Sequence, residues 1–252
     1  MQATDVVRSG AVDGASLTEL QSWVTAIEAW PAGSHRWGHY AEQTESGPVI
    51  CRTENVSACH AGMRSLVDGP LRACAEAALG APVTAFKDKL NYKQPGGAGF
   101  RPHQDRLAYP GVDRVMSVLL AIDECSLESG CLWLAGGVDE VLPVDDRGVV
   151  RDDVAQSLDW FAAELAPGDA VCIDGFAPHY SEANRSSAAR RVFVASYAAA
   201  GEGYRRDDYY AAREAEMHAA TQRDGRFRIS TLADFDGTEV GADVASSVCT
   251  HP

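Results

Sequence analysis

Apolar residues recur at helical spacing in two stretches near the start of the chain. Leu20, Trp23, Val24, Ile27 and Trp30 follow the capping-box pattern Ser16-Leu17-Thr18-Glu19, which predicts a helix ending near Pro31. Met63, Leu66, Val67, Leu71, Cys74, Ala75 and Ala78 predict a second helical stretch over 61–79, with Gly69-Pro70 as a break or restart. From Val83 the period changes to two: Phe86, Leu90 and Tyr92 share one face of a strand, and Lys87, Lys89, Asn91 and Lys93 share the other. Further strands are expected at 115–122, 131–134, 170–173 and 191–197, between clusters of Gly, Pro and Asp. A helix is expected again over 207–220, and the tail from Asp224 reads either as a cap on the core or as an unpacked extension. Helices followed by many short strands predict a mainly β fold with flanking helices, a barrel or jelly roll.

A chain of 252 residues with 46% hydrophobic residues can bury a full core as one domain. We expect helical support over about 1–82, a β core over about 83–200, and a C-terminal helix and tail over about 201–252. The net charge of −14 opposes binding to nucleic acid or to an anionic membrane, and no apolar run is long enough to span a bilayer. Seven cysteines without zinc spacing or a compact disulfide framework fit a reducing, cytoplasmic setting. The expected partner is a small molecule, and oligomeric state is left open.

The candidate chemistry begins at His103-Gln104-Asp105, where two metal-ligating side chains two residues apart share one side of an extended segment. His179, after the strand-like run Pro167 to Asp174, is the candidate third ligand. Two imidazoles and one carboxylate form the facial triad of non-haem iron oxygenases, which leaves coordination positions open. Arg190 follows His179 by a short loop and offers a planar fork suited to a carboxylate such as that of 2-oxoglutarate. The row Lys87, Lys89 and Lys93 is either a solvated face or a cationic lining for an anion. Arg101, Arg106 and Tyr109 flank the metal motif as candidate substrate contacts, while Trp133 is core or pocket wall.

The run Lys87-Asp88-Lys89-Leu90-Asn91-Tyr92-Lys93-Gln94-Pro95-Gly96-Gly97, with His103-Gln104-Asp105, resembles the phytanoyl-CoA dioxygenase family, and especially its bacterial branch that hydroxylates phosphonates. Gly130-Cys131-Leu132 and the segment from His179-Tyr180-Ser181 to Arg190-Arg191 carry the same resemblance. It implies a double-stranded β-helix, with iron on His103, Asp105 and His179 and 2-oxoglutarate on Arg190. It also implies that Asn91 and Ser181 help hold the co-substrate, to which Lys89 is added as a co-substrate contact and Lys93 as a substrate contact. The implied reaction turns 2-oxoglutarate and O₂ into succinate and CO₂ while hydroxylating an unactivated C–H bond of a small anionic metabolite, such as an aminoalkylphosphonate. A carboxylate ligand, Asp105, favours hydroxylation over halogenation. Two other readings stay open: a tailoring oxygenase acting on an amino acid or antibiotic precursor, and a non-catalytic barrel that binds a small anion. Where many relatives have Pro-Gly-Ser-His after Gly-Cys-Leu, this chain has Ala135-Gly136-Gly137-Val138, which bears on substrate contacts rather than on iron.

Overall fold

A computed structural model describes residues 7–8, 10–12, 14–32, 36–230 and 232–249. Its strands, in chain order, are β1 (Val7–Arg8), β2 (Gly38–Thr44), β3 (Gly47–Glu54), β4 (Val83–Lys93), β5 (Phe100–His103), β6 (Val115–Ala121), β7 (Leu132–Ala135), β8 (Trp160–Ala163), β9 (Ala170–Asp174), β10 (His179–Ser181) and β11 (Arg190–Ala199). Its helices are α1 (Gly14–Glu28), α2 (Ala61–Asp68), α3 (Pro70–Leu79), α4 (Asp152–Ala155), α5 (Arg206–Asp224) and α6 (Ala242–Val248). The break expected at Gly69-Pro70 separates α2 from α3, with Gly69 capping α3 and Pro70 at its first turn, where no amide hydrogen is needed.

The strands form two antiparallel sheets, a large one ordered β1-β9-β6-β11-β4-β3-β2 and a small one ordered β5-β10-β7-β8. Together they make the expected jelly roll, a double-stranded β-helix. Strand β6 is buried along its whole length because both its faces are covered. Met116, Val118 and Leu120 pack with Leu20, Val24, Met63 and Leu71 of the helices on the outer side. Leu119 and Ala121 point inward, where they share a core with Leu134 and Ala163 of the small sheet. Burial of this kind contributes about 25 cal/mol per Å² of apolar surface, and it locks the alternation in register, since a slip by one residue would exchange the two faces.

The inward face of the large sheet changes character toward β4. Across β11, Val192 faces Asn91, Val194 faces Lys89, Ser196 faces Lys87 and Arg190 faces Lys93. The lysine row is therefore interior, and Lys87 and Lys93 are each 6% exposed. The hairpin β2–β3, which the hydrophobic pattern did not suggest, extends this face with Arg52 opposite Asn91 and Glu54 opposite Lys89. The tail packs: Tyr40 and Ala41 of β2 share a cluster with Met217, Phe227, Ile229 and Val240, so of the two readings of the tail it is the cap that is observed. No helix among the described residues is long and apolar enough to cross a membrane.

Candidate active site

A cavity of about 100 Å³ lies between the two sheets, and the triad lines it. His103 ends β5, His179 opens β10, and the two stand opposite each other in antiparallel register, with ring centroids 4.3 Å apart. Asp105 opens a short 3-10 turn directly after β5. The ligating atoms of His103, Asp105 and His179 all lie within 4.8 Å of one another, a spacing that suits a shared ion. Gln104, between the two ligands, turns the other way and is fully buried. Its amide donates to the carbonyls of Glu140 and Phe176 and accepts from the Leu142 amide, which pins the segment.

Both imidazoles are oriented by the backbone. His103 Nδ1 lies 2.7 Å from the Arg101 carbonyl, and His179 Nδ1 lies 2.9 Å from the Ala177 carbonyl. A carbonyl only accepts, so each Nδ1 carries the proton and each Nε2 lone pair is left for a metal. Burial, with His103 alongside, pushes the His179 imidazole down to about 4, so it is neutral and able to ligate at ordinary pH. Burial acts against ionisation of Asp105, but electrostatic interaction with His179, Lys89 and Lys87 outweighs it and holds the carboxyl below its usual range. Ser117 donates to Asp105 Oδ2 at 3.1 Å and is itself 2.9 Å from Ser196 Oγ. This serine, a lone polar residue in the apolar run 115–122, was a legible signal that the sequence reading passed over.

One stretch of the cavity wall is rich in basic side chains. Arg190 is 6% exposed, and its Nε is buried without a hydrogen-bond partner. Lys93, facing it across the strand pair, donates to Ser181 Oγ at 2.8 Å, so the guanidinium, the amine and the hydroxyl form one corner. Burial, and then the charge of Arg190, pushes the Lys93 amine down to about 6. Burial, with Arg52 next, pushes Lys89 down to about 8. Lys87 donates to the Tyr109 hydroxyl at 2.9 Å and sits over the rings of Tyr109 and Tyr209. Among the described residues, none of Lys87, Lys89, Lys93 and Arg190 has a carboxylate within ion-pair distance. Basic groups crowded together without counter-charges are costly to ionise, and the cavity beside them is where an anion would relieve that cost.

Asn91 and Ser181 line the same cavity; Asn91 Oδ1 accepts from Arg52 Nε at 3.1 Å. Three candidates lie elsewhere. Arg101 pairs with Asp236 at 2.6 Å on the surface, and Arg106 pairs with Asp113 at 2.8 Å; neither lines the cavity. Tyr109 is buried behind Lys87 rather than on the wall. Ala135 to Val138 are not among the residues that line the cavity. Trp133 is outside it too, stacked on Tyr180. Gly130 has φ +72°, and a Cβ there would meet the Glu182 carbonyl at 2.4 Å, which explains glycine beside the Lys93 corner. Residues missed by sequence reasoning are Arg52 from β3, Arg213 from α5 and Asp234 from the tail, which line the cavity from distant parts of the chain. His39 and His60 serve locally, one bonded to Thr53 and the Trp30 carbonyl, the other capping α2. His35 and His251 lie outside the described residues.

The model of the family described as phytanoyl-CoA dioxygenase (PhyH) matches residues 5–192. The chain belongs to the phytanoyl-CoA dioxygenase family. It is 37% identical over 227 residues to a methylphosphonate hydroxylase of Gimesia maris, covering 88% of this chain and 87% of that protein. It is 33% identical over 208 residues to a 2-aminoethylphosphonate dioxygenase of an uncultured bacterium, covering 80% and 79%. Among solved structures it resembles EctD from S. alaskensis with 2-oxoglutarate and 5-hydroxyectoine, at TM-score 0.66 and 20% identity over 79% of this chain and 73% of that one. It also resembles the epimerase SnoN in complex with Fe3+, alpha ketoglutarate and nogalamycin RO, at TM-score 0.65 and 18% identity over 77% and 78%. The chain is thus a dioxygenase that works with Fe(II), 2-oxoglutarate and O₂, and its donor set fits the metal: two imidazoles and a carboxylate meet on one side of a cavity.

Proposed function

We propose that this dioxygenase hydroxylates a C–H bond of a small phosphonate, with His103, Asp105 and His179 as iron ligands and Arg190 as the anchor of 2-oxoglutarate. The observation that carries this reading is the set of four basic side chains beside the triad, Lys87, Lys89, Lys93 and Arg190, none of which has a carboxylate within ion-pair distance among the described residues. Two kinds of anion are to be held, a dicarboxylate and a phosphonate, and the interior row of β4 is long enough for both. From Lys87 to Lys93 the strand advances by roughly 20 Å at about 3.3 Å per residue. The corner of Arg190, Lys93 and Ser181 suits the distal carboxylate of 2-oxoglutarate, because a guanidinium fork pairs bidentately with it. Lys89, which has no hydrogen-bond partner among the described residues and whose charge acts on Asp105, is assigned to the phosphonate. The relatives named for methylphosphonate and 2-aminoethylphosphonate, at 37% and 33% identity, support the same substrate class.

Iron with bound 2-oxoglutarate supplies the oxidising power when both are present. The protein's own residues do the rest. His103 and His179 present Nε2 because their Nδ1 protons are engaged, and Ser117 fixes the carboxylate of Asp105. Ile229, Leu232 and Phe235 of the tail cover the cavity with apolar surface that excludes water. Seven free cysteines fit work in the cytoplasm. The test is succinate release from 2-oxoglutarate with a panel of phosphonates, amino acids and neutral metabolites. Stimulation by small phosphonates is expected; stimulation by neutral or bulky apolar compounds alone would overturn the reading.

A further inference from the structure

The cavity has a negative corner as well as a basic stretch of wall. Asp234, in the tail, is 1% exposed and lines the cavity. Its Oδ2 lies 3.1 Å from His103 Nδ1. Its Oδ1 is buried and has no hydrogen-bond partner among the described residues. The other acids on the wall differ: Asp105 belongs to the triad, and Glu42 accepts from the Ala98 amide at 3.1 Å. A buried carboxylate oxygen without a donor is expensive, because it has lost water and gained nothing in exchange. Such an atom on a ligand cavity is accounted for when the ligand brings the donor. Asp234 also acts on the charge of Lys89, so a positive and a negative pole share the space next to the triad.

We propose that Asp234 Oδ1 receives the ammonium group of an aminoalkylphosphonate whose phosphonate lies against Lys89, so that the enzyme selects zwitterionic phosphonates over those without an amine. This rests on the phosphonate reading above and adds the residue that distinguishes one phosphonate from another. A site built to accept a hydrogen bond discriminates against a ligand lacking the donor, since the buried acceptor is then left unpaired.

Because Asp234 also adjoins His103, loss of activity on substitution would not by itself separate a substrate contact from a positioning role. The ratio of two substrates does, since any disturbance of His103 is common to both. With Fe(II)-loaded enzyme and saturating 2-oxoglutarate, kcat/KM is measured for 2-aminoethylphosphonate and for ethylphosphonate, which has the same carbon skeleton without the amine. The wild type is expected to favour the aminated compound by about tenfold or more, and Asp234→Asn is expected to bring that ratio down toward one. Anaerobic calorimetry of the same pair should show the same change in Kd. A wild-type ratio near one overturns the inference and needs no variant to be made. An Asp234→Asn enzyme that loses both substrates in equal proportion overturns it too, leaving Asp234 as a positioning residue for His103. If neither phosphonate binds or yields succinate, the phosphonate reading itself falls, and this inference with it.

Discussion

Two groups of buried charge line one cavity and are built on opposite plans. On the β3 and α5 side, Arg213 Nε lies 2.8 Å from Glu54 Oε2, Arg52 donates to the Ile229 carbonyl and to Asn91, and Glu54 is fully buried between the two guanidinium groups. Burial works against the charge on Glu54, yet Arg213, Lys87 and Arg52 hold its carboxyl below the usual range. On the β4 and β11 side, among the described residues, Lys89, Lys93 and Arg190 have no carboxylate within ion-pair distance. The first group is ion-paired within the protein and ties the tail and α5 to the sheet; the second we assign to ligands. The contrast teaches that burial of a charge does not mark a site. What marks it is burial together with an absent partner.

The largest effect is expected at the triad. His103→Ala, Asp105→Ala and His179→Ala should each lower turnover by about a thousandfold or more and weaken Fe(II) binding, because each removes one of three protein ligands. Metal titration followed by a turnover assay checks this, and near wild-type activity in any one of them removes that residue from the centre.

The comparison itself is sharpened by Arg190→Ala and Arg213→Ala. Arg190→Ala should raise the KM for 2-oxoglutarate about a hundredfold, with iron binding retained and little loss of thermal stability, since no internal ion pair is broken. Arg213→Ala strands a buried carboxylate and should cost about 3–5 kcal/mol of stability, read from denaturant unfolding. Equal loss of stability in both variants would break the distinction.

A smaller effect concerns pH. Lys89 is held at about 8, below its unfolded value, so its ammonium is present below pH 8 and is lost as pH rises through that value. Affinity for the anionic substrate should therefore fall above about pH 8, and Lys89→Arg should flatten that limb, because a guanidinium does not titrate there. The folding sign is opposite: burying the ammonium costs stability in full below about pH 8, and the cost is relieved as pH rises toward the unfolded value. A pH profile of substrate KM unchanged by Lys89→Arg would remove Lys89 from the anion site.

The smallest effects are expected outside the cavity. Arg191 pairs with Asp123 at 2.7 Å on the other side of the strand from Arg190. Arg191→Ala and Arg101→Ala should leave the KM for 2-oxoglutarate within about twofold, and Arg101→Ala should cost under about 1 kcal/mol. A steep rise in that KM for Arg191→Ala would place the co-substrate one residue along the strand.

The pattern along the chain was enough for the features that depend on near neighbours. The break at Gly69-Pro70 follows from proline's missing amide hydrogen, and the period of two from Val83 to Lys93 shows which residues share a face. The pairing of His103 with Asp105 was legible because an extended segment sets alternate residues on one side, whereas His179 and Arg190 were singled out mainly through the family resemblance. Tertiary structure alone decided which face of β4 turns inward. Alternation groups Lys87, Lys89, Asn91 and Lys93 without saying whether water or a cavity lies beyond them, and charged faces usually meet water. It alone also brought Arg52, Arg213 and Asp234 to the wall, from a hairpin, a helix and a tail far apart in sequence. Their side chains acquire a role from what the folded chain sets beside them, and no local pattern of apolar and polar residues records that proximity.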